Sequence, residues 1–256
     1  MTEQLLFRLR VRYVKQGRLR YLGHLEVLHT IERVVRRAGL PYAVTQGFSP
    51  HMRAGFSAAL PVGTASSCEW FDVFLTELVP VTEALERLRA AAPADLAPQE
   101  AGYVDVRADA LTAFITCAEY RVALFPRRDA AGEAAALDAP RLEAALAAVV
   151  ARGQIPYQRG KKQKVLDLTR TLDAYTVRAL ADGAFALDLS TRMDNEGALR
   201  PEILLAALDA ELHGAPDDPI VSTGIQNLSL FDHYDVTRTA QYAMSDDGAP
   251  VYPLHP

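Results

Sequence analysis

Phe7-Arg8-Leu9-Arg10-Val11-Arg12-Tyr13 alternates apolar and basic residues without a break. A β-strand turns successive side chains to opposite faces, so this period of two predicts a half-buried strand with Phe7, Leu9, Val11 and Tyr13 on the core side. Outward from it, Gln16-Gly17 reads as a turn and His24 to Ala38 as an amphipathic helix. Leu25, Leu28, Ile31, Val35 and Ala38 recur at spacings of three and four, and Gly39 with Pro41 just beyond supplies the stop. Strand signals resume at Tyr42 to Thr45 and at Trp70 to Thr76, where Phe71, Val73 and Leu75 share a side. Pro80 to Ala92 reads as a second helix and Tyr103 to Val106 as a further strand.

That order is β-α-β-β-α-β, the ferredoxin-like arrangement. The second half rhymes with it. Tyr120 to Phe125 is a predicted strand, Arg141 to Val150 an Ala-rich helix, and Ile155 to Gln158 and Val165 to Leu168 a hairpin. Its tip is basic: Arg159-Gly160-Lys161-Lys162-Gln163-Lys164. Phe185 to Leu189, a helix over Glu202 to Leu212 with Pro201 at its favoured first position, and a strand at Ile225 to Phe231 complete the pattern. The expected class is α+β, as two tandem ferredoxin-like domains. Their bounds are 1–110 and 117–238, with a loosely attached tail at 239–256. Arg128 to Ala139 reads as a loop or weakly structured insertion.

Half of the 256 residues are hydrophobic and about a quarter charged, an ordinary globular balance. No apolar run approaches the ~18 residues of a membrane helix, and the first residues lack the apolar stretch of a signal peptide, so the expectation is a cytoplasmic protein with no membrane partner. The two cysteines, Cys68 and Cys117, stand far apart. They offer no zinc knuckle, redox pair or cluster cradle, and small buried hydrophobes are the expected role. No metal ligand set or nucleophile elbow is visible, and no cofactor is expected.

Charge is segregated. Residues 1–60 hold ten Lys and Arg against three Glu, a balance of +7; the whole chain carries −5, which leaves −12 for the rest. A positive field attracts polyanions. A ferredoxin-like sheet with helices over one face leaves the other open, and Arg8, Arg10 and Arg12 would line it, where folds of this shape hold RNA. Alternatively they pair with carboxylates on neighbouring strands. Arg20, Arg33, Arg36 and Arg37 extend the basic set, as do Arg159, Lys161, Lys162 and Lys164 of the hairpin. His24 falls at a helix N-terminus, which favours anions, or simply caps that helix. Gly47, Phe48, His51 and Arg53 belong to a Gly-rich loop whose amides would approach a phosphate, with Phe48 free to stack on a base or to anchor the loop in the core. His24 and His51 are the candidate acid–base residues.

Several blocks resemble one family in the order in which they occur. They are Arg20-Tyr21-Leu22-Gly23-His24-Leu25-Glu26, Glu32 to Pro41, Gln46-Gly47-Phe48-Ser49-Pro50-His51 and Leu60-Pro61-Val62-Gly63, followed by Lys161 to Asp167 and Leu199-Arg200-Pro201. The chain is identified by them as similar to the radical-SAM-associated family of unknown function, whose domain is fused to a radical SAM protein or encoded beside one. It departs from that pattern at Gly23 and Glu26, at Thr45, and at Ser66 to Trp70. The resemblance implies a radical SAM partner and a link to RNA modification or translation. It supplies no activity.

Three functions follow as expectations. The first is an RNA-binding accessory protein beside a separate radical SAM enzyme, not itself a catalyst. The second is a metal-independent endoribonuclease of the tandem ferredoxin-like type, with His24 or His51 as general base. The third is a protein–protein adaptor whose arginines meet an acidic surface.

Overall fold

A computed structural model describes residues 5–128, 137–194 and 197–254, apart from the side chain of Asp182. The chain divides into two units. The first comprises Met1–Leu60, Ala65–Thr116 and Ala240–Pro256; the second comprises Pro61–Thr64 and Cys117–Thr239.

In the first unit the Phe7–Lys15 segment is strand β1, as its alternation predicts. Helix α1, His24–Arg37, follows, then a short β2, Ala54–Phe56, and a long β3, Ala65–Leu75. Helix α2, Val81–Ala91, strand β4, Pro98–Val104, and a one-turn helix α3, Leu111–Phe114, complete this part of the chain. β1 lies between β4 and β3, β2 pairs the other edge of β3, and all these pairings are antiparallel. Leu9, Val11, Phe71, Val73 and Leu75 form one core with Val27, Ile31, Val34 and Val35 of α1 and Ala84 and Leu88 of α2. The buried stripe of α1 is therefore Val27-Ile31-Val34-Val35, rotated from the predicted one. Leu25, in the first turn, is 67% exposed.

The predicted strand at Tyr42 to Thr45 is reduced to single bridges, Tyr42 with Leu75 and Val44 with Met52.

The opposite face of this sheet differs most from expectation. Arg8 and Arg10 are 5% and 2% exposed, because β3 places Asp72 directly opposite Arg10. Arg8 Nη2 and Nε reach Asp72 Oδ2 at 2.6 and 2.9 Å, and Arg10 Nε reaches Oδ1 at 2.8 Å. Their other donors go to main-chain carbonyls: Arg8 to Ala108 and to Asp109 (2.8 Å), Arg10 to Pro253 (3.0 Å). The guanidinium of Arg10 also lies over the Phe114 ring. Arg12 is half-exposed and pairs with Glu100 at 3.0 Å. Segments 105–116 and 253–254 thus cover the face expected to be open, and the three arginines are neutralised within the protein.

In the second unit β5, Cys117–Pro126, leads into α4, Ala139–Ala151, and the hairpin of β6, Gln154–Arg159, and β7, Lys162–Asp167. Then come the one-turn α5, Leu168–Thr171, the strands β8, Leu172–Ala179, and β9, Phe185–Arg192, and α6, Pro201–Leu212. β10, Ile220–Val221, and β11, Phe231–Met244, follow. The main strand order is β8-β9-β5-β11, while β10, β6 and β7 form a separate small sheet.

The sequence reading missed β8, an edge strand in which Tyr175 and Val177, half-buried, alternate with the exposed Thr176 and Arg178. It also placed the last strand at Ile225 to Phe231, where Ile225 is exposed. The predicted insertion at Arg128 to Ala139 falls mainly on residues 129–136, outside the described residues.

The tail is not loosely attached. β11 runs on past Thr239, its last residue in the second unit, and its end pairs with β12, Pro250–Val251. Gln241 is buried and its Nε2 donates to Cys68 O at 2.6 Å, while Leu254 packs so closely over Gly102 that a Cβ there would lie 2.9 Å from it. The polar run Ser245-Asp246-Asp247-Gly248 is a turn, closed by Ser245 N–H donating to Ala249 O. Among the described residues no helix is long and apolar enough to cross a membrane.

Removing Asp72 strands two buried cations. Asp72→Asn is expected to lower the unfolding free energy by about 3–5 kcal/mol, whereas Arg12→Gln, whose pair is half-exposed, costs about 1 kcal/mol or less. Urea unfolding of both variants checks this; equal losses would show that the Asp72 cluster carries no special weight.

Candidate nucleic-acid interface

The remaining predicted residues fall into three settings. On α1, Arg33, Arg36 and Arg37 are exposed; Arg33 donates to Thr30 Oγ1 and Arg36 lies 3.8 Å from Glu32. The N-terminus of this helix already has its anion. Glu26 Oε2 accepts the Gly23 N–H at 2.7 Å, so a phosphate there would meet a carboxylate. Gly23, not His24, is the N-cap, and the exposed His24 ring sets its edge against Phe56. Arg20 lies over the Tyr21 ring.

The Gly-rich loop is closed on itself. Thr45 N–H donates to His51 O at 2.8 Å and His51 N–H donates to Thr45 Oγ1 at 3.0 Å. Two of its amides are thereby engaged inside the loop. His51 stands beside Ser49 Oγ, Arg53 stacks on Phe74 at 4.2 Å, and Gly47 takes φ 134°, a conformation that excludes most side chains. Phe48, next to it, is fully exposed at the loop tip rather than a core anchor. Among the described residues no hydrogen bond or ring contact joins His24 to His51, and no group of three His, Cys, Asp or Glu could hold a metal.

The third setting is the β6–β7 hairpin. Gly160 at φ 59° makes its two-residue turn, and the register sets Arg159 opposite Lys162 and Tyr157 opposite Lys164. Tyr157 and Ile155 are buried on that side, which anchors the base of the hairpin, while Arg159, Lys161, Lys162 and Lys164 are exposed. Among the described residues none of these four cations makes an ion pair or a side-chain hydrogen bond. Like charges directly opposite in a strand pair are destabilising. The hairpin therefore holds a cluster of positive charge that the protein itself does not neutralise.

Arg159 also borders a residue that the sequence reading passed over. Glu202 lies in the first turn of α6 and is 3% exposed. Its Oε1 accepts from Arg200 Nη1 at 3.0 Å, but Oε2 has no hydrogen-bond partner. Burial raises the carboxyl above its usual range, against the lowering charges of Arg200 and Arg159. Tyr234 is pushed up as well, mainly by burial and in part by the charge of Glu202.

Asp209, on the same helix and equally buried, makes the contrast plain. Its two oxygens accept the N–H groups of Leu230 and Ser229 at 2.9 and 2.7 Å. An acidic residue just after Pro201 reads in sequence as a helix-dipole partner. Its burial has no local signal.

The family model for "Uncharacterized protein conserved in bacteria (DUF2344)" matches residues 8–201. The chain belongs to this family. The match takes in β1 and ends at the first residue of α6, so the hairpin and Arg200 lie inside it. No curated protein matches the chain. Among solved structures, one described as a candidate glycine cleavage system transcriptional repressor is 12% identical, over 82% of this chain and 92% of that one. Its TM-score is 0.21, too low to carry an argument about this protein.

A carboxyl raised by folding stabilises the folded state only while it is protonated, below its unfolded value, and that contribution is lost as pH rises through its folded value. The stability of the wild type relative to Glu202→Gln is therefore expected to fall as pH rises from about 4 to 8. Melting temperatures across that range check it; a difference independent of pH would show that Glu202 titrates normally.

Proposed function

We propose that this is an RNA-binding accessory protein of two ferredoxin-like units, acting in the cytoplasm beside a separately encoded radical SAM enzyme. The strand order β4-β1-β3-β2 in the first unit supports the fold reading, as does β8-β9-β5-β11 in the second. Each is the order of a split βαβ sheet, with the β6–β7 hairpin inserted in the second. The radical SAM partner rests on the family resemblance of the sequence blocks.

RNA binding rests on one observation, the unneutralised hairpin. Arg159, Lys161, Lys162 and Lys164 crowd one tip, with Arg159 and Lys162 paired across it and no carboxylate in reach of an ion pair among the described residues. Setting like charges opposite each other costs roughly 0.2–1 kcal/mol per pair, and a polyanion that neutralises them recovers this and releases counterions. The arginines of β1 do not serve, because Asp72 and Glu100 already hold them.

Fluorescence anisotropy with a labelled single-stranded RNA over a KCl series tests the reading. Each lost phosphate contact flattens the log–log salt slope by about 0.7. Replacing Lys161, Lys162 and Lys164 together by Gln is expected to flatten it by roughly 2, while Arg12→Gln leaves it unchanged. RNA that fails to bind at all would favour the adaptor.

The same preparation addresses catalysis. A positioned general base contributes about 10²–10⁴-fold to rate, so in a nuclease His24→Ala or His51→Ala would abolish most cleavage at retained affinity. The expected result is intact RNA in EDTA, with each variant shifting affinity only a few-fold. Metal-free cleavage that disappears with either histidine would place the protein among the endoribonucleases.

A further inference from the structure

Glu202 is a buried carboxylate with one oxygen in use and one idle. Leaving a buried acceptor unpaired is costly, and in native structures such an atom usually marks a missing partner. The kind of partner is narrowed by its neighbours. Arg200 contacts the carboxylate, and Arg159 is near enough for its charge to act on it, so a metal cation would face two guanidiniums. A neutral N–H or O–H donor meets no such repulsion. That donor must also tolerate, or use, the surplus of positive charge at Arg159, Lys162 and Lys164 on the adjoining hairpin.

A nucleotide combines the two: an amino group on its base and a phosphate on its sugar. We propose that Glu202 reads a base of the bound RNA, Oε2 accepting the exocyclic amino group of an adenine, cytosine or guanine while Arg159 and Arg200 hold that nucleotide's phosphate. The proposal rests on the RNA-binding reading above and adds to it a site and a base preference. Arg159 is the exposed member of this group and has no ion-pair partner among the described residues, so its guanidinium is available to a phosphate. Arg200 spends one N–H on Oε1, and the rest of its planar fork remains for phosphate oxygens.

Uracil does not fit. Its N3–H lies between two carbonyl oxygens, which would be driven against the carboxylate, whereas an amino group projects clear of its ring. Carboxylates accept from exocyclic amino groups of bases in the same way in nucleic-acid readout generally.

The test uses the full chain and equal-length labelled oligomers of adenylate, cytidylate and uridylate at one KCl concentration. The wild type is expected to bind the adenylate and cytidylate oligomers roughly fivefold to tenfold more tightly than uridylate. The three salt slopes should be alike, since the phosphate contacts are shared. Glu202→Gln, whose amide both donates and accepts, is expected to level the three affinities while retaining a cooperative thermal transition and the salt slope. Arg159→Gln should weaken all three and flatten the slope by about 0.7.

Equal wild-type affinities, or a preference that persists in Glu202→Gln, would overturn the base-reading role and leave a buried water as the partner of Oε2, with RNA binding by the hairpin intact. Failure of all three oligomers to bind would instead overturn RNA binding itself.

Discussion

Asp72 accepts hydrogen bonds from two arginines, and the first unit is organised around that contact. A guanidinium taken out of water needs both a counter-charge and partners for its remaining donors. One carboxylate cannot neutralise two guanidiniums, so the surplus is met by the carbonyl dipoles of Ala108, Asp109 and Pro253. This draws residues from 105–116 and from the end of the chain onto the sheet face opposite the helices. β3 becomes buried on both faces in consequence, with Phe71 and Val73 toward the helices and Asp72 toward the arginines. The C-terminal segment acquires an ordered place through the same carbonyls, despite a composition that suits a solvated tail.

The two buried carboxylates of α6 obey the same rule with different results. Asp209 satisfies both oxygens with the main chain of Ser229 and Leu230 and so anchors the approach to β11. Glu202 satisfies one. Unmet demand of either sign is concentrated in one part of the second unit: an idle acceptor at Glu202, and idle cations at the hairpin beside it. Elsewhere in that unit several exposed charges are paired, as where Asp188 joins Arg121 and Arg178 across three strands. There burial would raise the Asp188 carboxyl, but hydrogen bonds and charge from the two arginines hold it below its usual range.

Net charge by segment was a poor guide to where a polyanion would bind. The +7 balance of residues 1–60 suggested a basic face there, yet two of those cations are buried on Asp72 and a third pairs with Glu100. The acidic remainder of the chain carries the closest cluster of cations without ion pairs among the described residues, at the hairpin. What matters electrostatically is the charge left exposed after internal pairing, and Asp72 and Glu100 lie 62 and 88 residues from their arginine partners.

The sequence by itself determined the alternation of β1, and hence that Leu9 and Val11 enter the core. It also determined the places of α1, α2, α4 and α6 and the basic hairpin with its glycine turn. These are local matters, in which side-chain period and turn chemistry act over a few residues. It left β8 weakly marked, since Tyr175 and Val177 alternate with Thr176 and Arg178 but are only half-buried at the sheet edge, and it did not determine the face of α1 that the sheet selects. Nor could it say whether the second face of a sheet would stay open, or that Glu202 would be shut away with one oxygen unpaired. Those outcomes depend on which distant segments arrive to cover a residue, as 108–109 and 253 do over Arg8 and Arg10. Burial and pairing between remote positions leave no periodic trace in the chain, so only the tertiary structure decides them.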